Sequence, residues 1–193
     1  MNRHYDEHDR LEAELRHLFS QHDPVPPVVT RAAVIRDPDL SLGAGQFAAV
    51  QTAAPSLSIE VKPVNVADPG EIERAIAAFA SSGNGGLIVT GSGLAALHRN
   101  VLVTLATRYK LPAVYFERYF VTAGGLISYG TSVVEAHRLG ATYIDRILRG
   151  EKPADLPVQA PNKYELVVNL KAAKALGLSI PTSVLVRADE VIE

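Results

Sequence analysis

The sequence predicts a Rossmann-like α/β fold: a three-layer sandwich in which a mostly parallel sheet is covered by helices on both faces. Three observations predict it. From residue 31 onward, apolar runs of strand length alternate with segments of helical periodicity. The runs are continuously apolar, as in strands buried on both faces. The connections are short and punctuated by Gly, Pro and Asp, which makes a doubly wound order of roughly five strands the simplest topology.

Each element has its own signal. Leu11, Leu15, Leu18 and Phe19 recur at helical spacing and predict an amphipathic helix over residues 8–20, which Asp23, Pro24, Pro26 and Pro27 separate from the α/β region. Residues 31–35 (RAAVI) read as the first strand, ending at Asp37-Pro38. A helix over 44–54 leads to a strand over 58–65, where Pro63, with no N–H to donate, points to a sheet edge. Asp68-Pro69 is an N-cap and first-turn pair, with Glu71 and Glu73 beside the positive helix end. That helix runs to about Ala80 and buries Ile72, Ile76 and Phe79. The strand GLIVT (86–90) then ends at Gly91-Ser92-Gly93, a helix spans 94–109, and PAVYF (112–116) is another buried strand.

Residues 126–129 form a short strand. The helix over 132–149 is expected to bury a stripe of Val133, Ala136, Leu139, Tyr143, Ile144, Ile147 and Leu148, with Gly150 at its end. The proline-bearing stretch 151–162 runs extended over a surface. A strand over 164–169 and a helix over 170–176, closed by Gly177, complete the pattern.

Composition narrows the function. The 193 residues are 47% apolar and suffice for one sizeable core. A net charge of −2 supplies no field for nucleic acid or an anionic membrane. No run approaches the ~18 apolar residues of a membrane-spanning helix. The first 27 residues are charged and lack an apolar centre, so they do not read as a signal peptide, and the chain as written is expected in the cytoplasm. With no Cys, disulfides, thiolate zinc sites and cysteine nucleophiles are excluded.

In an open α/β sheet, ligands sit outside the carboxyl ends of the strands, where the strand order reverses. With order 2-1-3-4-5, the loops at Asp37 and Ser92 flank that point, and both precede helices whose free N–H groups suit an anionic group such as a carboxylate. The competing reading makes Asp37 and Ser92 an ordinary turn residue and helix cap. Gly43–Ala48 fits G-x-G-x-x-A but starts too far after its strand for a nucleotide-binding turn. Gly91–Ala96 is better placed, yet comes after the third strand rather than the first. His4 and His8 have metal-pair spacing without a third ligand nearby. No G-x-S-x-G elbow accompanies His98 or His137. Asp37 and Asp39 could in principle share acid–base work, but Asp-Pro-Asp is a common turn. Tyr115, Phe116, Tyr119 and Phe120 crowd into six residues, as core or as the wall of an organic-ligand pocket.

Several long stretches carry a resemblance: RAAVIRDP (31–38), GGLIVT (85–90), LPAVYFERYFVTAGGLISYG (111–130), YIDRILRGEKPADLPVQAPNKYELVVNLKAAKALGL (143–178) and RADEVIE (187–193). Residues 29–193 resemble the C-terminal part of bacterial ABC-transporter substrate-binding proteins of the type I periplasmic-binding fold. The resemblance implies a secreted, two-lobed, non-enzymatic binder without cofactor or metal. Such a binder closes on a small organic solute, for instance an amino acid or another carboxylate, and delivers it to an ABC permease. It implies that residues 1–28 are a dissimilar extension, 29–123 one ligand-binding lobe, and 124–193 crossover elements and a C-terminal arm. By position in that fold, Asp37, Ser92, Tyr115, Glu117, Ser128 and Tyr129 face the ligand. A full member carries a further lobe ahead of this region, so the chain reads as a truncated homologue whose residues 126–149 lack their usual cover. A homodimer is therefore expected to bury them. The alternative is a cytoplasmic dimeric interaction or sensing module with no transport role.

Overall fold

The computed structural model describes residues 29–65, 68–161 and 163–193. Seven strands build one sheet: β1 (Arg31–Arg36), β2 (Glu60–Asn65), β3 (Gly85–Val89), β4 (Ala113–Tyr115), β5 (Ile127–Thr131), β6 (Tyr164–Asn169) and β7 (Glu190–Ile192). Their spatial order is β2-β1-β3-β4-β5-β6-β7. The first five strands are parallel, β6 runs antiparallel to β5, and β7 is parallel to β6. The predicted order 2-1-3-4-5 is therefore present, extended by two strands from the C-terminal arm. Polarity tracks position. Central β1 buries Ala32, Ala33, Val34 and Ile35, whereas β2 lies at the edge with Pro63 exposed.

The helices are α1 (Ser41–Ala53), α2 (Pro69–Ala80), α3 (Gly93–Leu97), α4 (Arg99–Arg108), α5 (Arg118–Thr122), α6 (Val133–Leu148), α7 (Leu170–Leu176) and α8 (Thr182–Arg187). The Asp68 carboxylate accepts from the Gly70 N–H (2.8 Å) and the Glu71 N–H (3.2 Å), so α2 starts at the expected cap. The helix expected over 94–109 is two helices meeting at His98, whose backbone (φ −92°, ψ 17°) leaves the helical region. Helices α5 and α8 and strand β7 carry no clear sequence signal. At five, six and three residues they are too short to show a period.

One core packs Ala33, Ile35, Leu87, Val89, Ala113 and Tyr115 of the sheet against Ile72, Ile76 and Phe79 of α2 and Leu102, Val103 and Ala106 of α4. Ile72 and Ile76 are fully buried, contributing about 1.5–3 kcal/mol each. A second core joins Ile127, Leu166 and Val168 to Ala173, Ile180 and Val184. Since Tyr115 is the register partner of Ser128, Ile127 points to the opposite face. The sheet is therefore covered on both sides, as predicted.

The expected lack of cover at residues 126–129 is not seen, since Leu126, Ile127 and Ser128 are buried and β6 pairs beside them; the exposure falls on helix α6. Its periodicity is strong, yet no α6 side chain is buried. Glu135, Leu139, Tyr143 and Arg146 are its half-buried positions, while Val134, Ile144 and Leu148 stay 59%, 60% and 81% exposed. The Tyr143 hydroxyl donates to the Pro157 carbonyl (2.5 Å), and Arg146 pairs with Glu151 (2.6 Å). The returning segment thus sits against the side that carries Leu139 and Tyr143, while Val133, Val134, Ile144, Ile147 and Leu148 face outward.

Candidate functional site

The sheet order reverses between β1 and β3, and the two loops leaving their carboxyl ends are tied together there. Thr90 donates its hydroxyl to the Ile35 carbonyl (2.8 Å) and its N–H to the same oxygen (3.0 Å). The Gly91 N–H donates to Oε1 of Gln46 (3.1 Å), which reaches across from α1. A Cβ at Gly91 would touch the Phe116 ring at 3.5 Å, so the loop after β4 closes the same corner.

Asp37 and Ser92 stand at this corner and are buried. Asp37 Oδ1 accepts from the Asp39 N–H (3.1 Å), and Ser92 Oγ accepts from the Ala95 N–H (2.9 Å). Both side chains therefore shape the turn and the helix start locally. Gln46 and Phe116 join the corner; no sequence signal marks Gln46, whereas Phe116 belongs to the aromatic cluster read as core or as a pocket wall. Gln46 sits inside a helix whose sequence signal says nothing of ligands.

The other four predicted positions are distributed differently. Tyr115 is 1% exposed; its ring stacks on Phe120 at 4.8 Å between centroids, and its hydroxyl has no hydrogen-bond partner. Burial pushes its phenol well above the usual range. Ser128, its register partner, is equally buried, with Oγ unpaired. Tyr129 is half-buried and stacks on Tyr164 at 5.5 Å. Glu117 lines a separate hollow of about 490 Å³ with Arg118, Tyr119, Lys163 and Glu165. Burial holds its carboxyl above the ordinary value and Glu165 adds to this, while the Arg118 backbone N–H and guanidinium oppose it. Among the described residues no cluster of three or more His, Asp or Glu is arranged to hold a metal ion, and no helix is long and apolar enough to cross a membrane. His4 and His8 lie outside the described residues.

The family model for ABC transporter substrate binding proteins matches residues 22–192. The chain belongs to that family. Among solved structures, a conserved domain protein from Vibrio cholerae superposes with TM-score 0.81 at 23% identity, over 94% of this chain and 59% of its own. An ABC domain from Streptococcus pneumoniae, solved in complex with L-Trp, gives TM-score 0.77 at 25% identity, over 86% and 57%. The ligand-free, open structure of a substrate-binding protein with adhesive properties from Clostridium difficile gives 0.65 at 22%, over 93% and 58%. The chain thus spans less than two thirds of the length of these relatives. No curated protein matches it.

Proposed function

We propose that the chain is a non-catalytic solute-binding lobe, its carboxyl-end corner forming one wall of a site for a small organic solute destined for an ABC permease. The observation that carries this is the junction at the strand-order reversal, where Gln46 of α1, Gly91 after β3 and Phe116 after β4 meet beside Asp37 and Ser92. Ligands of doubly wound sheets bind at this place. Family membership and the L-Trp complex of the pneumococcal relative make an amino acid the favoured class. The half-buried Phe116 ring at the corner suits an organic side chain.

A ligand of that size buries most of its surface in a full site, which takes two walls. The chain spans 59% or less of its relatives, so the wall described here binds weakly alone. Isothermal titration with L-Trp, other amino acids and small carboxylates tests it. The expected result is saturable binding near the millimolar range, about −4 kcal/mol, weakened severalfold by Gln46→Ala or Phe116→Ala. Absence of any saturable binding across the panel overturns it and leaves the cytoplasmic interaction or sensing module as the better reading.

A further inference from the structure

We propose that Gln46 sets the specificity of the corner: its side-chain amide offers oriented N–H donors that select a solute carrying a carboxylate beside the Phe116 ring. This deepens the solute-binding reading of that corner and rests on it. The orientation of the amide decides the polarity. The Gly91 N–H can be met only by an acceptor, so Oε1 faces it (3.1 Å) and Nε2 is the branch left over. Among the described residues Nε2 donates to no acceptor. Neighbouring polar groups are engaged within the corner itself. The Thr90 hydroxyl donates to the Ile35 carbonyl, while Asp37 Oδ1 and Ser92 Oγ accept from the Asp39 and Ala95 N–H groups. Gln46 spends its acceptor on the loop and keeps both donors unclaimed.

The missing side chain of Gly91 leaves a notch between this amide and the ring. A Cβ built on Gly91 would lie 3.5 Å from Phe116 Cδ2 and 3.9 Å from Gln46 Nε2. Donor and ring therefore flank one point, and a solute whose carboxylate meets Nε2 can rest its apolar part on Phe116. Leu42 stands one turn before Gln46 on the same face of α1 and is 59% exposed, so it offers further apolar surface there. An ammonium group gains nothing from Nε2, because both carry donors without an acceptor. A carboxylate gains most, since a charged acceptor makes the stronger hydrogen bond. The Oε1–Gly91 bond also holds the amide before the solute arrives, so less side-chain freedom is lost on binding.

NMR titration of the full chain with L-Trp and with tryptamine tests it. The two ligands share the indole and the ammonium, so the Asp37 carboxylate acts on both alike, and they differ in the carboxylate. The wild type is expected to favour L-Trp by about tenfold or more, the scale of a hydrogen bond to a charged group. Gln46→Glu keeps an oxygen for the Gly91 N–H and replaces the donors with a second, anionic oxygen, which turns the preference toward tryptamine. Gln46→Met keeps the length without a donor, and the two ligands then bind alike. A wild-type urea midpoint for Gln46→Glu separates this reversal from loss of fold. Equal binding of both ligands to the wild type overturns the selection, as does an L-Trp advantage that persists in both variants; either result leaves the corner reading standing. Failure of both ligands to bind also overturns it, and the wider panel of amino acids and carboxylates then decides the corner reading separately.

Discussion

Gly130 shows how close the chain passes to itself beside the candidate site. A Cβ there would lie 1.8 Å from the Phe116 carbonyl oxygen, a backbone atom fixed by β4 and the start of α5. Gly130→Ala is expected to cost at least about 2 kcal/mol in denaturant unfolding, because neither backbone segment can yield without breaking strand pairing. The buried hydroxyl of Tyr115 is the opposite case. It makes no hydrogen bond, so Tyr115→Phe keeps the stacked ring and removes a desolvated polar atom. Stability should stay equal or rise by up to ~1 kcal/mol. Glu117 carries a pH signature. Its folded-state pKa is raised by burial, so between its ordinary and raised values the folded chain holds more proton than the unfolded one. This contribution to stability is present at low pH and is lost as pH rises through the folded pKa. Glu117→Gln should flatten that part of the stability profile and leave the chain more stable at neutral pH, as read from urea midpoints between pH 4 and pH 8.

At the level of elements, the strongest local signals became the predicted structures. Asp68-Pro69 begins α2 with two carboxylate hydrogen bonds, and Asp68→Ala should cost about 1 kcal/mol in the same denaturation assay. Tyr164–Asn169 and Leu170–Leu176 have the bounds their patterns predict, with Gly177 left-handed at φ 72° closing the helix. What the sequence hid had physical causes. Helix α5 and strand β7 exist because neighbours hold them: Phe120 and Val121 of α5 are fully buried, and β7 pairs with β6 while the Asp189 carboxylate accepts the Leu166 N–H (2.8 Å). Periodicity reports which side of a helix is apolar but not whether anything covers it, and α6 departs from its expected burial for that reason. The candidate site was legible only as loops at the switch point. The Gln46–Gly91 contact joins residues 45 apart, a distance no local pattern encodes.

Across the whole molecule, stability is distributed unevenly. The two cores share one sheet and meet where β4 pairs with β5. Asn169 reinforces that junction: its side chain donates to the Val121 carbonyl (3.3 Å) and accepts from the Ala172 N–H (2.9 Å), linking the α5 end to the start of α7. Opening either core exposes apolar surface of the other, so β1, β3, β4, β5 and β6 should unfold together. Helix α6 buries no side chain, and its tethers are solvent-facing hydrogen bonds and ion pairs. Such a segment opens locally at little free-energy cost. Hydrogen exchange should therefore resolve two classes of amide. Those of β1, β3 and β4 should exchange only through global unfolding, with protection falling in parallel as denaturant is added. Those of α6 should exchange orders of magnitude faster and be insensitive to low denaturant. Uniform protection of α6 and sheet in dilute protein would contradict the exposed helix on which this distribution rests.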